Sequence, residues 1–197
     1  MKRFLGIVIA ILSICSCSYG DHYLNRTITG KIVRQCNFPV AFGITKNVPE
    51  EYRESIRKGF KYWNDEFQES IFFDFGDIDW SWGPQSTETD GFLAVGIVSD
   101  EDFPSPEACA VASIRHKYDC YTVVKIFLRK RCMKDSEKIQ TIIRHEAGHV
   151  LGLAHFPARW SLMYSKALSN EFHPVSATSR ELLEIWNLYK DMWKDNK

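Results

Sequence analysis

Eleven consecutive residues, His145-Glu146-Ala147-Gly148-His149-Val150-Leu151-Gly152-Leu153-Ala154-His155, constrain this chain more than any other stretch. On a helix, positions four apart differ by about 400° of rotation, so His145 and His149 leave one face a turn apart and can share a metal ion. Glu146 is displaced by about 100° from His145, which stands its carboxylate beside such an ion rather than on it. There it can take a proton from water. A left-handed Gly152 would stop the helix and double the chain back, bringing up His155 as a third ligand. Three neutral imidazoles and one open position make a catalytic zinc site, whereas a structural site is closed by four protein ligands. Gly148 argues the same way. A glycine inside a helix costs about 1 kcal/mol relative to alanine, and an amphipathic helix with three incidental histidines gives no reason for it.

The remaining patterns predict an α+β chain around that helix. Phe38 to Thr45 reads as a strand, and Pro49 followed by Glu50 and Glu51 opens a helix to about Phe67, with Tyr52, Ile56, Phe60, Trp63 and Phe67 on one face. Ile71 to Phe75 and Phe92 to Val98 read as strands on either side of a loop carrying Trp80 and Trp82, which are expected to pack under it. Ala108 to Ile114 and Tyr121 to Leu128 follow as strands around a polar turn at His116 to Asp119. Asp135 or Ser136 caps the metal helix, whose apolar stripe is Ile139, Ile142, Ile143 and Val150. Thr178 with Glu181 forms a capping box ahead of Leu182, Ile185, Trp186, Tyr189 and Trp193. The sum is a twisted mixed sheet of about five strands with three main helices.

A chain of 197 residues with 45% apolar content suits one domain. Lys plus Arg balances Asp plus Glu at 25 each, so no field favours nucleic acid as a partner. Lys2 and Arg3, the apolar run Phe4 to Ile14 and the small residues Ser16 and Ser18 predict an export signal over residues 1–16. That run is too short to cross about 30 Å of hydrocarbon as a helix. Ile14-Cys15-Ser16-Cys17 looks like a bacterial lipobox, which would lipidate Cys17 and give attachment to a membrane. Ordinary cleavage near Ser18 or Gly20 stays open beside it. Residues 17–37 then form an N-terminal segment and residues 38–197 the main domain. Within the segment, Asn25-Arg26-Thr27 is a glycosylation triplet in a eukaryotic secretory route alone. Cys36, Cys109, Cys120 and Cys132 remain, which suggests two disulfides in one of three connectivities. An all-cysteine zinc site lacks its usual C-x2-C spacing.

Together with Ser161-Leu162-Met163-Tyr164, the histidine motif resembles the metzincin zinc peptidases, and the eight-residue step from His155 to Met163 is similar to their matrixin branch, the matrix metalloproteinase catalytic domain. The order of elements is similar from about Phe38 to Trp193, although only residues 145–164 are specific. The resemblance implies a zinc cleft between an upper and a small lower subdomain, with Met163 as the Met-turn residue beneath the metal. It also implies strand four antiparallel to strand five, hence Cys109 paired with Cys132 and Cys36 with Cys120. Phe156 and Ser165 depart from the family's usual Ser and Pro. The histidine cluster of its second, structural zinc is absent, so one catalytic Zn2+ is expected, and no feature supports Ca2+. Arg34 to Pro39 is faintly similar to the family's latency segment, but Cys36 is assigned to a disulfide. The resemblance sets the primed-side pocket beside His149 and the turn around Tyr164; His173, like His22 and His116, is assigned to surface or packing.

The expectation is therefore an exported, monomeric zinc endopeptidase with Glu146 as general base and acid. Its partner would be a protein or peptide lying antiparallel to the edge segment Ala108 to Ile114. The competing readings are a non-catalytic or toxin-like module that keeps zinc for structure, and a zinc amidase acting on cell-wall peptides.

Overall fold

A computed structural model describes residues 24–27, 29–79, 92–103, 107–165 and 176–194. The export signal, Cys17, His22, Trp80, Trp82 and His173 lie outside them. Five strands, β1 (Val40–Thr45), β2 (Phe72–Ile78), β3 (Phe92–Val98), β4 (Ala110–Lys117) and β5 (Cys120–Arg129), form one sheet in the order β2-β1-β3-β5-β4. All neighbours are parallel except β4, which runs antiparallel to β5. Three α-helices, α1 (Glu50–Phe67), α2 (Ser136–Val150) and α3 (Ser179–Lys194), complete the α+β architecture.

The helices form where apolar periodicity placed them, and close contacts explain how they pack. Gly59 of α1 leaves no room for a side chain, since a Cβ there would lie 2.5 Å from that of Ile143 on α2. Trp63 Nε1 donates to Arg144 O at 3.0 Å, joining the same pair of helices. Phe60 stacks on Phe42 of β1 with ring centres 4.2 Å apart, which seats α1 on the sheet. On α3, Tyr189 meets Phe38 at 4.8 Å and Trp193 meets Phe67 at 5.1 Å, so the last helix closes over both the chain entry and the end of α1.

Strand ends differ from the sequence reading for local reasons. β1 begins at Val40 rather than Phe38 because Pro39 has no N–H to donate; the first pairing bond is Val40 N to Ile71 O, 2.7 Å. β2 continues past Phe75 to Ile78 through Gly76, whose φ of 97° accompanies a register shift against β1. β4 and β5 run into the expected polar turn until only Tyr118 and Asp119 separate them, with Tyr118 at φ 59°. Such two-residue hairpins call for positive φ, usually filled by Asn or Gly. A tyrosine there hides the turn.

Both disulfides adopt the implied pairing. Cys109–Cys132 joins the chain just before β4 to the turn after β5, and Cys36–Cys120 ties the incoming chain to the first residue of β5. That incoming chain is built into the domain from Leu24 onward. Leu24 bridges Leu153, Arg34 bridges Cys120, and Val33 belongs to the buried core.

Candidate metal centre

Asp135 caps α2 by accepting from Lys138 N at 2.7 Å. Its apolar residues Ile139, Ile142, Ile143, Ala147 and Val150 are buried, so the helix is held rigidly along one side. At the far end Leu153 N donates to Gly148 O at 2.9 Å, and Gly152 turns the chain at φ 94°. The left-handed glycine foreseen in the sequence thus ends the helix and returns the chain towards His149.

This reversal brings His145, His149 and His155 together, with one ring nitrogen from each lying within 4.8 Å of the others. His145 Nδ1 donates to Leu162 O at 2.6 Å and His149 Nδ1 donates to Leu153 O at 2.8 Å. Carbonyls only accept, so both protons are fixed on Nδ1 and each Nε2 presents a lone pair. His149 Nε2 and His155 Nε2 are 3.2 Å apart. Two nitrogens at 2.0–2.1 Å from one zinc in tetrahedral geometry stand about 3.3 Å apart, so the His149–His155 pair fits that ion. Burial, reinforced by His155, holds His145 down to about 4, and burial with the other two imidazoles holds His149 well below its ordinary range. Both rings are neutral at physiological pH, as metal ligands must be.

Glu146 is 3% exposed, and Ala112 N of β4 donates to its carboxylate. Burial pushes this carboxyl up to about 8, against the lowering effect of the Ala112 bond. A divalent cation beside it would favour the ionised form. α2 therefore presents His145 and His149 on one face and, one residue on, a buried carboxyl.

Beneath the helix, Gly148 has a packing reason. A Cβ at that position would sit 2.5 Å from Met163 Sδ, so only glycine lets the fully buried methionine press against α2 under the histidines. A buried carboxylate, not evident from the spacing of the histidine motif, holds that turn. Glu181, 1% exposed, accepts from Ser161 Oγ at 2.6 Å and Met163 N at 2.9 Å with one oxygen, and from Thr178 N at 2.6 Å with the other. Glu181 N in turn donates to Thr178 Oγ1 at 3.2 Å, completing the capping box. One buried carboxylate thus starts α3 and clamps the turn whose Leu162 O orients His145. The capping box pointed to Glu181, but only its burial against Ser161 reveals the second task. Phe156, which departs from the family pattern, bridges Tyr164 and lies 5.9 Å under the Arg180 guanidinium. His116 stands at the hairpin tip with Nδ1 on Tyr118 O, outside the triad.

The matrixin family profile matches residues 37–190. No curated protein matches the chain. Among solved structures it is similar to an archaemetzincin from Methanopyrus kandleri, with 14% identity over 76% of this chain and 94% of that one and a TM-score of 0.53. It is also similar to high choriolytic enzyme 1, a hatching-enzyme zinc protease from the medaka Oryzias latipes, at 14% identity, 88% and 97% coverage and a TM-score of 0.45. The archaemetzincin likeness supports the metzincin fold. Because the family match runs over most of the chain and takes in α2, the three histidines and the turn through Met163, the chain belongs to the matrixin family of zinc endopeptidases.

Proposed function

We propose that His145, His149 and His155 hold one zinc ion through Nε2 and that Glu146 is the general base and acid of peptide hydrolysis. The observation that carries this reading is the commitment of two Nδ1 atoms to backbone carbonyls, which leaves lone pairs converging at a spacing suited to zinc. Zinc bound there supplies Lewis acidity, polarising the scissile carbonyl and lowering the pKa of water towards about 7. Glu146 takes a proton from the attacking water and later gives it to the departing amine. No side chain forms a covalent bond to substrate. Met163 provides an apolar floor and takes no part in proton transfer.

Substrate lies extended along β4. Alternation against β5 turns Ala110, Ala112 and Ile114 towards the open edge, and the Ala112 N–H already reaches Glu146. A peptide pairing with this edge therefore carries its scissile bond past the general base. Main-chain pairing binds many sequences, and the pocket beside His149 and Tyr164 supplies selection.

Two disulfides support an oxidising, extracytoplasmic location. Residues 1–16 are read as the export signal, with Cys17 as the residue that would carry a lipid. Mass spectrometry of the mature N-terminus decides between a lipidated Cys17 and plain cleavage.

The deciding experiment incubates purified, zinc-analysed protein with denatured casein or gelatin, with and without a chelator. Expected are one zinc per chain and chelator-sensitive cleavage. Zinc without cleavage of any protein would leave a non-catalytic module, and release of peptidoglycan stem peptides instead would indicate the amidase.

A further inference from the structure

Residues 24–27 and 29–36 precede the matched region and form a strap against the end of the metal helix. Asn25 N donates to Gly152 O at 2.7 Å, Leu24 pairs antiparallel with Leu153, and Val33 N donates to Asn25 O at 2.9 Å. The carboxamide of Asn25 points inward. Its Nδ2 lies 3.1 Å from Tyr121 Oη and 3.4 Å from His149 O. Leu153 O, on the residue paired with Leu24, is the acceptor that aims the His149 ring. Gly152 turns the chain into this approach at φ 94°, a conformation that L side chains rarely adopt. The other end of the strap is fixed where Arg34 N donates to Asp119 O and Tyr121 N donates to Arg34 O, both at 2.9 Å, and by Cys36–Cys120.

We propose that Asn25 is a positioning residue for His149, acting on the ligand's own carbonyl through Nδ2 and Tyr121 and on its ring through the Gly152–Leu153 turn. The proposal rests on the triad as the zinc site.

The test measures zinc release into an excess of chelator, together with kcat and KM, for Asn25→Ala, Tyr121→Phe and Thr27→Val. Groups bonded directly to a ligating imidazole change metal affinity by 10–100-fold, and Asn25 acts one step further out, so Asn25→Ala should release zinc roughly 3- to 10-fold faster. Its kcat should fall while KM holds, since Asn25 does not reach substrate. Thr27→Val disturbs only the strap's own turn, where Thr27 Oγ1 meets Thr29 and Lys31, and should release zinc at the wild-type rate. Equal acceleration in Asn25→Ala and Thr27→Val, or wild-type release in Asn25→Ala, overturns the proposal. Should Asn25→Ala fail to fold, Tyr121→Phe decides alone: faster release supports the assignment and unchanged release overturns it. Zinc content of the wild-type protein is measured first, so a metal-free wild type sinks the triad reading before any variant is compared.

Discussion

The two edges of the sheet are both exposed strands, yet they are finished in opposite ways. At the β2 edge, Asn64 accepts from Ile71 N and Phe72 N and donates to Phe72 O, satisfying the outward backbone from a neighbouring helix. Further along, Asp74 accepts from Gly76 N at the bulge, and Arg57 pairs with Asp74 and Asp77. Bulges and charges of this kind keep an edge from accepting another strand. At the β4 edge, which packs beside α2, Ala112 N meets the buried Glu146 carboxylate instead of a guarding surface side chain. The difference teaches which edge is meant to be joined. On the proposed function, one is sealed against β-pairing while the other is kept for substrate.

Four substitutions test that contrast. Glu146→Gln removes the proton carrier at the open edge and should lower kcat by about a thousandfold, within the 10²–10⁴ range of general acid–base catalysis, with zinc content unchanged in elemental analysis. Ile114→Pro removes an outward N–H and is tolerable on an edge strand; the loss of one main-chain bond to substrate, roughly 1–1.5 kcal/mol, should raise KM about tenfold in peptide assays. At the sealed edge, Asn64→Ala strands the Phe72 N–H group, while Ile71 N keeps Glu69 O, and should cost about 1–3 kcal/mol in urea unfolding, with KM unchanged. Asp74→Ala deletes a half-exposed ion pair and the bulge acceptor, and should cost at most about 1 kcal/mol, again without effect on KM. A rise in KM from either β2 variant would erase the distinction between the edges.

The site was more legible than its supports. His145, His149 and Gly152 are legible because helix rotation is a fixed quantity and a left-handed residue at a helix end favours glycine, so spacing translates directly into geometry. Strand bounds were less so. Tyr118 adopts a turn conformation that its type does not announce, and the bulge at Gly76 depends on pairing with β1, which no single strand encodes. Gly148 stood out as costly, but its reason, the sulfur of Met163, lies 15 residues away and emerges only when the turn folds underneath. Disulfide pairing had three solutions from the cysteines themselves and was narrowed by family likeness. Asn25 and Glu181 illustrate the general limit: each reads as a local motif, a sugar acceptor and a helix cap, while its larger role comes from partners distant in the chain.

Glu181 has a consequence for timing. Synthesis runs from the N-terminus, so the histidines emerge well before the carboxylate that clamps Ser161 and Met163. Until α3 docks, Leu162 has no fixed place from which to orient His145. A chain stopped after residue 165 should therefore hold zinc weakly and cleave nothing, so that the nascent protease stays inert until its last helix is made.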